Sequence, residues 1–107
     1  MSNMALDVKV FIDACEQIPS QENAHLYRGL IAEEYDEFCH ALIMRDDVEQ
    51  LDACMDMIWV ILGYCYMKKF NAEGAWDEVM KTNFAIILIR NLSTVLFVIL
   101  KPKNLKK

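Results

Sequence analysis

Chain breakers are scarce here: three glycines and two prolines in 107 residues. A chain with so few turn-formers runs in long segments, which suits helices better than many short strands. The breaks that do occur are well marked. Pro19 disfavours helix in the residue before it, so "IPSQEN" closes a first helix over about 5–18. Ser20 then offers an N-cap for a second helix over about 21–44. "RDD" is the next break, where Asp46 or Asp47 caps a third helix that reaches Met67 or Lys68. "MKKFN" ends it with Lys68 and Lys69 at the negative helix terminus. Asn71 caps a fourth helix to about Asn83. Short connections make neighbouring helices antiparallel. The expected fold is therefore all-α, a four-helix bundle.

On the first helix the spacing predicts an inward stripe of Leu6, Val10, Phe11, Ala14 and Ile18. The third helix contains "MIWVILGYCYM", uncharged from Met57 to Met67. That run is too short for a membrane span of about 20 residues. A helix apolar all round reads as the central, packed one. Residues 85–100, "AIILIRNLSTVLFVIL", admit three readings: a hairpin turning at "RNLS", a helix at an oligomer interface, or a membrane segment backed by the basic "KPKNLKK". Arg90 and Asn91 in mid-segment, and the short length, weigh against a span. The chain thus divides into a domain over 1–84 and an apolar and basic tail over 85–107.

At 55% hydrophobic residues the chain has enough apolar mass for one packed domain. Cys15, Cys39, Cys54 and Cys65 form no CxxC pair and fall in helical segments. They read as buried free thiols in a reducing cytoplasm rather than as disulfides or zinc ligands. The N-terminal "MSNMALDVKV" lacks the layout of a signal peptide. A net charge of −5 without a basic face argues against nucleic acid as partner.

The acids are where the pattern departs from an ordinary amphipathic chain. On a helical wheel, Tyr27, Leu30, Ile31, Phe38, Ala41 and Leu42 define one apolar sector of the second helix. Glu34 lies in the middle of that sector, Glu37 at its margin and Glu33 a little beyond, while Asp36 points the opposite way. On the third helix Glu49, Asp52 and Asp56 share an arc of about 60°. Asp56 interrupts the apolar "CMDMIWV". Burying an unpaired carboxylate costs several kcal/mol, so such groups protonate, pair or bind metal. Arg28 and Arg45 are the only nearby cations against six acids. The oxygen-rich set suits Mg²⁺ or Mn²⁺. A di-iron centre needs Glu-x-x-His twice. Glu37-Phe-Cys-His40 supplies one copy, and Glu22 before His25 lies away from the acids, so His40 reads as an ordinary histidine.

Glu33-Glu34-Tyr-Asp-Glu37 followed by Glu49-Gln-Leu-Asp52, with "DACMDMIWVILGY" and "AWDEVMKTN", resembles the MazG-like all-α nucleoside triphosphate pyrophosphohydrolases over roughly residues 8–84. The family pattern is EExxE on one helix and ExxD on the next. Many relatives place ExxD directly before the apolar run; in that register Asp56 is the aspartate, Ala53 stands where the glutamate would be, and Asp52 or Glu49 substitutes for it. The resemblance implies Mg²⁺-dependent hydrolysis of a nucleoside triphosphate, especially a deoxynucleotide, to monophosphate and pyrophosphate, a nucleotide-pool house-cleaning activity. It implies metal ligands among Glu33, Glu34, Glu37, Glu49, Asp52 and Asp56, with one of the first three as base. Asn83 and Lys81 become substrate contacts, and Trp59 could flank a base, although core packing is the better reading of Trp59. It also implies a dimer or tetramer. Narrower alternatives are a dUTP or a phosphoribosyl-ATP pyrophosphohydrolase; an alternative of another class is a helical oligomerisation module with solvated acids.

Overall fold

A computed structural model describes residues 3–100 as four helices with no strand among them: α1 (Met4–Ala14), α2 (Gln21–Ile43), α3 (Asp47–Met67) and α4 (Ala72–Leu100). The caps expected at the starts of α2 and α3 hold. Ser20 Oγ accepts from the Asn23 amide at 3.0 Å, and Asp46 Oδ1 accepts from the Glu49 amide at 3.1 Å. Each satisfies one of the orphan donors at a helix start. Asn3 does the same for α1, accepting from the Leu6 amide at 3.1 Å.

The helix ends repeat one device. Glu16, Arg45 and Lys69 follow α1, α2 and α3 with φ of 58°, 55° and 58°. In each case the next residue bonds back to the last turn: Gln17 to Ile12, Asp46 to Ala41 and Phe70 to Cys65, at 3.2, 3.1 and 2.9 Å. This is the Schellman ending, usually carried by glycine because other residues strain there. The device ends α1 at Ala14, four residues before the expected boundary at 18. Without a glycine there, no residue type marks the ending in advance.

The chain divides into two compact units, one up to Ala72 and one from Glu73 onward. In the first, α3 packs against both α1 and α2. Four contacts fix the α2–α3 pairing. The Lys68 ammonium donates to Gln21 Oε1 at 3.2 Å, Gly63 lies against Tyr27, Asp56 lies near Glu34, and Gln50 Nε2 donates to the Ala41 carbonyl at 3.4 Å. About two turns forward along α2 match about two turns back along α3, so the pair is antiparallel and in register. Tyr66 Oη donates to Asp13 Oδ1 at 2.6 Å and ties α3 to α1. Tyr27 Oη donates to Gln17 Oε1 at 2.8 Å, pinning the turn between α1 and α2.

The core consists of Val8, Ile12, Ala24, Tyr27, Val60 and Met67, with Leu30, Ile31, Leu62, Tyr64 and Tyr66 packed on it. This corrects the stripe expected for α1. Val8 and Ile12 face inward, and Leu6, Val10, Phe11 and Ile18 are exposed. Two overlapping apolar stripes share that helix, and the wheel alone does not say which one meets a neighbour. On α3, likewise, Ala53, Val60, Gly63 and Met67 are buried while Leu51, Met55 and Ile61 are exposed. The helix is central to this unit but not enclosed by it.

The second unit corrects the expected end at Asn83. α4 continues without a break to Leu100, so "RNLS" is not a hairpin turn. Thr94 Oγ1 donates to the Arg90 carbonyl at 3.0 Å, absorbing its polarity within the helix. No residue of α4 is buried. By length and composition alone it is the one helix among the described residues apolar enough to cross a membrane. The basic stretch 101–107 lies outside the described residues.

Candidate active site

The register of α2 against α3 brings three acids together. Glu34 and Glu37 are one turn apart on α2, hence on one face. Asp56 opposes them from α3. One carboxylate oxygen from each of the three lies within 4.8 Å of the others. Glu34 is half-buried, and its Oε2 is fully enclosed with no hydrogen-bond partner. Asp56 is half-buried and Glu37 is exposed.

The electrostatics follow from this crowding. Burial pushes the Glu34 carboxyl up from 4.5 to about 6, helped by a hydrogen bond and like charge from Glu37 and by the charges of Asp56 and Asp52. Burial also raises Asp56, with Asp52 and Glu37 adding to it. A carboxyl with a higher pKa folded than unfolded holds its proton more tightly in the folded protein. Its contribution to stability is therefore complete at low pH and is lost as pH rises from 4.5 through about 6. The metal-free protein is expected to melt at progressively lower temperature across that interval. Millimolar Mg²⁺ should raise the melting temperature above it, since a ligand of the native state stabilises that state. Thermal melts at pH 4.5, 6 and 7.5, with Mg²⁺ and with EDTA, check both halves.

The donor set suits a divalent cation on its own terms. Three carboxylates converge, one of them with an enclosed oxygen that has no hydrogen-bond partner, and a positive ion relieves both the repulsion and the burial. Three oxygens with no sulfur or imidazole favour a hard ion such as Mg²⁺ or Mn²⁺.

Glu33, Glu49 and Asp52 are exposed and stand outside the three-acid group, although Asp52 is near enough to raise both Glu34 and Asp56. Asp36 is exposed, as its wheel position requires. His40 is exposed and outside the group, so the Glu-x-x-His spacing brings no imidazole to it. All four cysteines are free thiols, Cys15 exposed and the others half-buried.

Trp59, one turn beyond Asp56, is 38% exposed and meets Phe11 edge to face at 5.4 Å. Phe11, which periodicity places in the core, is instead exposed and meets Trp59. Lys81 pairs with Glu78 at 3.6 Å, both well exposed. Asn83 lies in mid-helix, so the role of a helix-end cap falls away. Lys81 and Asn83 belong to the second unit and the acids to the first.

The model of the phosphoribosyl-ATP pyrophosphohydrolase family matches residues 9–83. No curated protein and no solved structure is significantly similar to the chain. The matched region runs through all three converging acids and every core residue except Val8. A match of that extent shows that the chain belongs to the phosphoribosyl-ATP pyrophosphohydrolase family, a branch of the MazG-like nucleotide pyrophosphohydrolases.

Proposed function

We propose that the chain hydrolyses a nucleoside triphosphate, deoxynucleotides included, to the monophosphate and pyrophosphate in a Mg²⁺-dependent reaction in the cytoplasm. The observation that carries this is the convergence of Glu34, Glu37 and Asp56, with one Glu34 oxygen enclosed and unpartnered, within a family of nucleotide pyrophosphohydrolases. Glu34, Glu37 and Asp56 hold the ion, and Asp52 and Glu49 extend the acidic stripe toward solvent. When bound, a divalent cation supplies neutralisation of the phosphates and acidification of water. Glu33, exposed on the same helix, takes the role of base in this proposal, orienting a water and accepting its proton. The water oxygen bonds to the α-phosphorus, the bond from that phosphorus to the bridging oxygen breaks, and pyrophosphate leaves. Trp59, one turn along α3 from Asp56 and edge to face with Phe11, is assigned to flank the base. Lys81 and Asn83 serve as substrate contacts, and residues 1–84 carry the activity, with 85–107 appended.

The family match favours a second reading, phosphoribosyl-ATP as the substrate. Pyrophosphate release from ribo- and deoxyribonucleoside triphosphates, dUTP and phosphoribosyl-ATP, each with Mg²⁺ and with EDTA, decides between them. A purely structural module would release none and would ignore EDTA. The exposed apolar residues of α1 and α3 support assembly into a dimer or tetramer. Light scattering at micromolar concentration should show more than one copy, and a monomer would remove this part of the proposal.

A further inference from the structure

The family match stops at residue 83, and α4 runs on to Leu100. The added segment, residues 84–100, is about 25 Å long at 1.5 Å per residue. It carries Phe84, Ile86, Leu88, Leu92, Leu96 and Ile99 among many exposed apolar residues, and Val95 to Leu100 leaves no polar side to the helix. Charge divides the chain at the same end. After Glu78 there is no acid: Lys81, Arg90, Lys101, Lys103, Lys106 and Lys107 are the only charged side chains, in a chain whose net charge is −5.

Three kinds of partner meet part of this description. A nucleic acid answers the cations but not the apolar surface. A second copy covers apolar surface but brings six cations against six. An anionic bilayer answers both, because acyl chains take up an apolar helix from several sides and acidic headgroups attract the lysines. Arg90 and Asn91 in mid-segment are costly for a helix that spans. A helix lying at the headgroup boundary keeps the Arg90 guanidinium among phosphates instead.

We infer that the segment from Phe84 to Leu100, with the lysines that follow it, binds the surface of an anionic lipid bilayer. The test is co-sedimentation of the full chain with vesicles of neutral phosphatidylcholine alone, or of phosphatidylcholine with an anionic phospholipid. Binding should be at least about tenfold stronger to the anionic vesicles and should weaken as salt rises. Leu96→Asp with Ile99→Asp should abolish it at unchanged melting temperature. Replacing Lys101, Lys103, Lys106 and Lys107 with glutamine should bring binding down to the neutral-vesicle level, a second route should the aspartates impair folding. No sedimentation with either vesicle overturns the inference. So does binding that the lysine replacements leave unchanged, or an oligomer that the aspartates disperse while vesicles remain bare. Pyrophosphate release is read separately, so failure here leaves the proposed reaction standing.

Discussion

Glu34→Gln should lower turnover by at least about 100-fold while leaving the metal-free protein as stable as before, or more so. Partners that merely orient a metal's ligands cost 10–100-fold when lost, and a direct ligand costs more. The amide keeps the volume of the side chain but removes a charge from a group already crowded by Glu37, Asp56 and Asp52. Its nitrogen can also donate to one of those acids. Asp56→Asn should behave alike, since Asp56 is held up by the same crowding. Asp36→Asn, on the exposed side of α2, should change neither quantity. The measurement is kcat at saturating Mg²⁺ beside melting of the metal-free protein, for all three variants. Wild-type turnover in Glu34→Gln, or equal damage from Asp36→Asn, would sink the proposed centre.

The second large effect is on the fold. A Cβ built on Gly63 runs into the Tyr27 ring, overlapping Cε1 and standing 2.7 Å from Cδ1. Real Cβ atoms do not come so close, and Tyr27 is only 5% exposed, so the ring has little room to withdraw. Gly63→Ala gains roughly 1 kcal/mol of helix propensity and loses more to overpacking, which typically costs about 1–3 kcal/mol and at times more. A net loss of up to about 2 kcal/mol is expected, or a fall in melting temperature of up to roughly 15 °C for a unit of this size. Gly29 is the internal control. It too sits inside a helix, but a Cβ there meets nothing within 4 Å. Gly29→Ala should stabilise by roughly 0.5–1 kcal/mol. Chemical denaturation of the two variants side by side checks the sign of each.

What was legible in the sequence is local. Ser20 and Asp46 mark helix starts because a short side-chain oxygen does one job there. Glu34 and Asp56 stand out because each breaks an apolar run, and both prove half-buried and adjacent. What was not legible depends on neighbours. The α1 face could not be chosen, because Val8 and Ile12 differ from Leu6 and Val10 only in what they meet. The end of α1 was obscured by Glu16, a residue that gives no sign of adopting positive φ. The run of α4 through "RNLS" was hidden because two apolar stretches around polar residues read equally as a hairpin or as one helix. Membership of the acid group was similarly open. Asp52 shares the arc of Asp56, but only the register across α2 decides whose oxygen reaches Glu34.

The Tyr27–Gly63 contact lies two turns from the Glu34–Asp56 contact, counted along either helix. Interaxial separation is therefore set at one place and read out at the other. Mg²⁺ accepts oxygens at 2.0–2.1 Å and tolerates little deviation, whereas Ca²⁺ accepts them at 2.3–2.6 Å and in looser shells. With an ion held by the three acids, the missing side chain at residue 63 would bear on the ionic radius they accept. A family member that filled this position and kept every acid would be expected to lose discrimination against calcium before it lost affinity for cations altogether.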